Sequence, residues 1–180
     1  MKARTVGICI LVATLTGCGD KTTFSVPQPQ PKYQPSSTPL NVLENLRRAY
    51  TTRDSMGYDS LFDASYVGTS TDASGPGPVV LTFTKADERH HVSALARTST
   101  IVGVDLRFPV SMSRSTDLSD PPGWATVQQA GTSLEIDDGG TSYLINPSEF
   151  MEFKFTPTTP SPGSPTDTTW HIVRWTEIAQ

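Results

Sequence analysis

Apolar residues along this chain fall into two rhythms, helical at first and alternating afterwards, and the change comes near residue 100. Thr38 is a natural N-cap, and Pro39 suits the first helical position, where a missing N–H costs nothing. Leu40, Leu43, Leu46 and Tyr50 then recur at helical spacing, Val42 and Ala49 widen the stripe, and Glu44, Arg47 and Arg48 fall elsewhere. The pattern predicts an amphipathic helix of about four turns lying on something apolar. A second, shorter helix starts after Asp54 or Ser55 and carries Tyr58, Leu61 and Phe62, with Gly57 weakening its first turn. Gly68 to Pro78 is rich in Gly, Ser and Pro and reads as a loop before a short apolar strand at Val79 to Phe83. Thr84, with Asp87 three residues on and Glu88 beside it, forms a variant capping box that opens a third helix through about Ala96. The acidic first turn of that helix suits its macrodipole.

Period two then takes over. Val102, Val104, Leu106, Phe108, Val110 and Met112 alternate with Gly103, Asp105, Arg107, Pro109 and Ser111, which predicts a long strand with one apolar face. Pro109 within it implies an edge position or a bulge. A further strand runs from about Trp124 to Ile136, and Asp137-Asp138-Gly139-Gly140 is a tight-hairpin sequence. The next runs from Thr141 to Phe155, with a bulge expected near Asn146-Pro147 and with Met151, Phe153 and Phe155 on one face. A Pro/Ser/Thr loop from Thr156 to Thr168 leads to a last strand at Thr169 to Ile178, apolar on both faces and therefore central or covered on both sides. Helices followed by hairpin-linked strands imply an α+β domain whose N-terminal helices pack in a curved antiparallel sheet.

The remaining segments lie before the first helix. Lys2 and Arg4 form a basic start, Val6 to Leu15 an apolar run of ten residues, and Leu15-Thr16-Gly17-Cys18 follows. The apolar run fits a signal peptide and is too short to span a bilayer, which needs about 20 such residues. The whole resembles the lipobox of bacterial lipoproteins. That resemblance implies removal of residues 1–17 and makes Cys18 a lipidated N-terminus, anchored by its acyl chains. In an enteric host, Gly19 rather than an aspartate directly after that cysteine would send the protein to the outer membrane, facing the periplasm. Residues 18–37 then form a Pro/Gln-rich tether, with Pro27, Pro29, Pro31 and Pro35, extended to at most about 3.1 Å per residue. Residues 38–180 form a single domain.

Composition removes several classes of function. Cys9 and Cys18 are the two cysteines, so the domain holds no thiol, disulfide or cysteine-ligated metal. Loss of Lys2 and Arg4 with the signal leaves 12 of the 14 basic residues against 18 acidic ones, a net charge of −6. Nucleic-acid binding then lacks its electrostatic basis, and attachment to anionic lipid rests on the acyl chains alone. Ser and Thr number 44, yet no Gly-x-Ser-x-Gly elbow occurs.

Two N-terminal helices, Asn41 to Tyr50 running into Tyr58 to Phe62, then a third helix, a meander and a closing Trp170-His-Ile-Val-Arg-Trp175 strand, resemble the nuclear transport factor 2-like cone. The resemblance covers roughly residues 38–180 and rests on pattern rather than on a diagnostic motif. It implies a pocket between curled sheet and helices. Members of this fold include isomerases, dehydratases, hydrolases and binding proteins, so the fold does not supply a function.

Candidate chemistry is sparse. Asp105 and Arg107, two apart on a strand, could position an anionic ligand or be an exposed ion pair. Asp87 and His91, at i and i+4 with His90 between, could tune a histidine or hold a metal, or be a cap beside exposed imidazoles. His171 is the third histidine. Arg174 and Trp175 on the last strand could bind a carboxylate, or the arginine stem could merely cover apolar surface. Glu135, Asp137 and Asp138 fit a turn better than a calcium loop. Of the aromatic set of Tyr50, Tyr58, Phe62, Phe83, Phe108, Tyr143, Phe153, Phe155, Trp170 and Trp175, three or four at most should line a cavity.

The leading expectation is a non-catalytic envelope lipoprotein that binds a small apolar ligand or an envelope protein, without metal or cofactor. The alternatives are a pocket enzyme of isomerase, dehydratase or hydrolase type, with His91, Asp105 or His171 as general base, and a self-associating structural component. In ligand binding, Arg107, Arg174 and Trp175 are the candidates. Cys18→Ala is expected to abolish fatty-acyl labelling and to release or mislocalise the protein; unaltered membrane attachment would exclude the anchor.

Overall fold

Three helices and nine strands are described in the computed structural model, which covers residues 31–72, 76–109, 112–145, 150–158 and 168–178. The segment expected to be a signal peptide, Cys18 and most of the expected tether lie outside the described residues. Helix α1 (Pro39–Thr51) starts where the sequence places it, with Thr38 Oγ1 accepting from the Asn41 N–H at 3.1 Å and Pro39 in the first turn. Val42, Leu43, Leu46, Ala49 and Tyr50 are its buried face. Leu40 stands at the rim, 40% exposed, because the true stripe is centred on Val42 and Leu46. Helix α2 (Ser55–Asp59) is a single turn capped by Asp54, whose side chain accepts from Gly57. It ends before Leu61 and Phe62, which the helical spacing had assigned to it.

Phe62 instead opens β1 (Phe62–Asp72), a strand where composition predicts a loop from Gly68 onward. Its Ala, Gly, Ser and Thr residues supply little alternation. What makes it a strand is pairing on both sides, antiparallel to β2 (Val79–Thr84) and parallel to β9 (Thr169–Ile178). The parallel pair makes the sheet mixed, not purely antiparallel. Helix α3 (Lys85–Arg97) follows directly, with Thr84 and Asp87 bonding each other's backbone in a full capping box.

Where the sequence predicts three long strands, shorter ones are described, in three pairs divided between two sheets. The first is β3 (Gly103–Arg107) and β4 (Ser113–Ser115), the second β5 (Ala125–Ala130) and β6 (Ser133–Asp137), the third β7 (Ser142–Ile145) and β8 (Phe150–Thr158). β3, β6 and β7 form one sheet, while β4, β5 and β8 continue the larger one, in the order β2-β1-β9-β8-β5-β4. The same partners are kept in both sheets: β3 with β6 and β4 with β5, β6 with β7 and β5 with β8. The corners fall after Arg107, next to Pro109, and at Gly131, whose φ of 85° favours glycine. The bulge expected at Asn146-Pro147 lies outside the described residues. β9 pairs with β1 and β8, the interior position that its two apolar faces predict.

Bending lets the meander wrap α1, which lies against β3 and β9. The core fills the space between, with Leu43, Leu46, Tyr58, Phe62, Phe153, Phe155 and Ile172 essentially free of solvent. Lys32 to Ser36, which composition gives to the tether, are held against this core. Asn45, buried on α1, accepts from the Gln34 N–H at 2.9 Å and donates to the Gln34 carbonyl at 2.7 Å. Trp170 N–H donates to Ser36 O at 2.8 Å, and Tyr33 and Lys32 both donate to Asp54. Pro31 to Gln180 thus form one compact unit. Among the described residues no helix is long and apolar enough to cross a membrane.

Asn45→Ala removes both bonds to Gln34 and is expected to cost about 1–3 kcal/mol, the scale for losing buried hydrogen bonds. Denaturant midpoints measure the loss, and fast hydrogen exchange at the Gln34 amide would locate it.

Candidate functional site

A cavity of about 740 Å³ opens between the helices and the bent sheet. Leu106, Leu134, Ile136, Met151, Phe83 and Trp175 give it an apolar wall from five strands. The helices and β1 give it a polar one. Tyr50, Tyr58, Phe83 and Trp175 are the members of the aromatic set that reach it, within the three or four expected; Tyr66, outside that set, also lines it.

Glu88 organises the polar wall. It lies one turn before Val92, the buried residue of α3, and so points inward on the same face. Its Oε2 accepts from the Tyr58 hydroxyl at 3.0 Å and its Oε1 from the Tyr66 hydroxyl at 2.9 Å. Burial raises the Glu88 pKa, the two phenol hydrogen bonds oppose that rise, and the charges of Glu177 and Asp87 add to it. Burial likewise pushes both tyrosines far above the usual phenol range, with Glu88 reinforcing the effect. They remain donors at any physiological pH. Gly68 completes the arrangement from β1: a Cβ there would collide with the Tyr66 hydroxyl and sit 3.3 Å from Glu88 Oε1.

A second polar pair stands one turn along α3. His91 Nε2 lies 2.6 Å from the Tyr50 hydroxyl, and burial lowers its pKa, so the imidazole is neutral near pH 7. The rings of Tyr50, Tyr58, Phe62 and Tyr66 form a continuous chain, with centroids 5.7, 4.9 and 4.6 Å apart. Trp175 packs on Phe153 at 4.9 Å. Its indole Nε1 is buried without a hydrogen-bond partner among the described residues, as are Thr132 Oγ1 and both amide atoms of Gln129.

His91 and Trp175 are the two sequence candidates that meet here. Asp87 also lines the cavity, but it is bonded to Thr84 in the capping box rather than to His91. Asp105 and Arg107 pair with each other on the outer face of β3, well exposed and away from the cavity. His171 lies outside it too, 3.2 Å from Thr158 Oγ1, its pKa lowered by burial. Arg174 donates to the Ser65 carbonyl at 2.9 Å and stands over the Trp124 ring. Asp137 and Asp138 accept from backbone amides of their own turn.

Glu88, Tyr66 and Glu177 are the site residues that sequence reasoning missed. Glu88 carried a legible signal, an acid four residues before Val92 on the apolar stripe of a helix. The capping box explained it away as a surface charge. Tyr66 carried none, since a strand hidden in a Gly/Ser/Thr segment gives its side chains no predicted direction, whereas Glu177 stands two residues after Trp175 on the predicted last strand and so shares its face.

Three helices and a bent meander closed by β9 make up the α+β architecture that the nuclear transport factor 2-like resemblance implies. No family model and no curated protein matches the chain. Among solved structures, a protein of Novosphingobium aromaticivorans provisionally named a scytalone dehydratase superposes with a TM-score of 0.51 at 7% identity, over 77% of this chain and 78% of its own. The protein Aln2 from a Streptomyces species gives 0.51 at 10% identity, over 77% and 85%. A provisionally named dehydratase of the nuclear transport factor 2-like family from Streptomyces avermitilis gives 0.49 at 13% identity, over 76% and 88%. At these identities the likeness is one of fold alone.

Glu88→Ala strands two buried phenol hydroxyls and is expected to lower stability by about 2–4 kcal/mol, on a scale of about 1–3 per orphaned group. Tyr66→Phe, which leaves Glu88 one partner, should cost about half as much in the same urea titration. A histidine whose pKa is depressed in the fold contributes stability above its ordinary pKa of 6.5 that is lost as pH falls through the folded value. Stability should therefore fall as the pH drops below His91's ordinary pKa of 6.5, and His91→Gln should flatten that slope in denaturant titrations across the range.

Proposed function

We propose that this chain is a lipid-anchored protein of the bacterial cell envelope whose domain binds a small molecule with a mainly apolar body. The observation that carries the binding reading is the cavity itself, with an apolar sheet wall facing a polar wall fixed by Glu88 and its two tyrosines. Ligand sites have this composition, apolar surface for affinity and a few fixed polar groups for orientation. Both Glu88 oxygens already accept a phenol hydrogen, which favours a positioning role over proton abstraction. The anchor rests on the Leu15-Thr16-Gly17-Cys18 motif, and Gly19 after the cysteine favours the outer membrane where the host has two. The net negative charge fits a partner other than nucleic acid.

A second reading, a proton-transfer enzyme, is favoured by the neutral His91 beside the Tyr50 hydroxyl. His91 would take a proton as general base, with Tyr50 orienting the ring. His171 and Asp105, outside the cavity, do not serve this role.

Native mass spectrometry of the mature chain, released from membranes in mild detergent, is expected to reveal a retained small molecule at one copy per chain. An empty protein, together with no binding in a broad ligand screen, would count against the binding reading. Incubating the extracted molecule with fresh protein in heavy water separates the two readings. Unchanged mass supports binding; deuterium uptake or loss of water, abolished by His91→Ala, supports catalysis.

A further inference from the structure

The polar groups of the cavity differ in whether the protein already satisfies them. Both Glu88 oxygens accept from phenols, Asp87 is bonded to Thr84, His91 meets Tyr50, and Glu177 is engaged within the chain as well. His90, the remaining histidine of the lining, is exposed to solvent. No lysine or arginine lines the cavity among the described residues. The ionisable groups therefore ask for no charge from a ligand.

The sheet wall holds two neutral groups that are not satisfied. Thr132 is 1% exposed and lines the cavity, and its hydroxyl has no hydrogen-bond partner among the described residues. The Trp175 indole N–H, in the same lining, is buried and equally unpartnered. Buried polar groups are almost always satisfied, so both call for a group supplied from the cavity. An indole N–H only donates, and therefore needs an acceptor; a hydroxyl serves either way. The two are too far apart to share one partner. Trp175 of β9 is in register with Phe153 of β8, whereas Thr132 follows Ala130 of β5, which is in register with Phe150. Two strand spacings and three residues separate Trp175 from Ala130 by roughly 14 Å, and Thr132 comes after it, past Gly131.

We propose that the molecule held here is uncharged and elongated, an apolar body with a carbonyl oxygen at the Trp175 end and a second neutral polar group, such as a hydroxyl, at the Thr132 end. The proposal rests on the reading of the cavity as a binding site. The carbonyl accepts from the Trp175 indole, the second group bonds the Thr132 hydroxyl, and the apolar body covers Leu106, Leu134 and Met151. A charged ligand would give up its hydration without compensation. A cation would find the Glu88 and Asp87 carboxylates already bonded, and an anion would find no lysine or arginine in the described lining. A pure hydrocarbon would leave the indole and the hydroxyl as they are. Neutral oxygens satisfy both at a smaller cost of desolvation.

The test compares para-substituted probes on one biphenyl frame by equilibrium dialysis near neutral pH: acetylbiphenyl, hydroxyacetylbiphenyl, isopropylbiphenyl, biphenylmethylamine and biphenylcarboxylate. The protein is the chain from residue 18, with Cys18→Ser to keep it free of lipid. The ketone is expected to bind at least about fivefold more tightly than the hydrocarbon, the amine or the acid, and the added hydroxyl to gain about threefold more. In Trp175→Phe the ketone-to-hydrocarbon ratio should fall to about one, and in Thr132→Val the gain from the hydroxyl should vanish. Loss of packing alone would weaken all probes together and leave these ratios unmoved. Without ligand, Thr132→Val should melt no lower than the parent protein, since it removes a hydroxyl that lacks a partner. A clear drop would show that the protein satisfies that hydroxyl, and overturns the proposal. Should Trp175→Phe fail to fold, Thr132→Val carries the comparison. Hydrocarbon binding as tight as that of the ketone, or tightest binding of the amine or the acid, overturns the proposal and leaves the binding reading standing. If none of the probes binds and native mass spectrometry finds no retained molecule, both fall.

Discussion

The buried carboxylate of Glu88 ties together elements that apolar packing alone would not hold. Helix α3 has a single buried residue, Val92, too little apolar surface to fix its position. Its attachment is polar instead. Glu88 bonds Tyr58 of α2 and Tyr66 of β1, His91 meets Tyr50 of α1, and Lys85 donates to the Phe62 carbonyl at 2.8 Å. Such contacts set the spacing of α3 from the sheet at the length of a tyrosine rather than at the closest apolar approach. The cavity is the space this spacing leaves.

The far wall has a different cause. β3, β6 and β7 pair in the smaller sheet and β4, β5 and β8 in the larger one with the same neighbours, and α1 lies against β3 of one and β9 of the other. The inward row passes from the odd positions Ala125, Val127 and Gln129 to the even positions Thr132, Leu134 and Ile136 across Gly131, and Leu106 of β3 and Met151 of β8 both line the cavity. Gly131, with its positive φ, turns one of these strands at little conformational cost. Residues 32–36 add a brace on the opposite side, where Asn45 replaces a strand partner for the Gln34 backbone. Residues 32–36, which composition gives to the tether, therefore belong to the folded unit.

Much of this was legible along the chain. The Thr38-Pro39 start, the Thr84/Asp87 capping box, the inward rows of β3 and β8, and the interior place of β9 all follow from rules that act within a few residues. β1 was not legible, because Gly, Ser and Thr become a strand only when strands on both sides satisfy their backbone. The corners were not legible either, since alternation is blind to which sheet receives it. At the site, His91 and Trp175 could be named in advance, while Glu88 passed for a helix-start charge until Tyr58 and Tyr66 were seen against it.

By itself the sequence determined the helix starts, the alternating rows, the absence of cysteine after Cys18 and the net negative charge, because composition and short-range periodicity suffice for each. Tertiary structure alone decided that an acid from α3, phenols from α2 and β1, and an indole from β9 share one cavity. Those residues lie as far apart in the chain as Tyr58 and Trp175, and only burial gives them the solvent exclusion that turns ordinary side chains into a site.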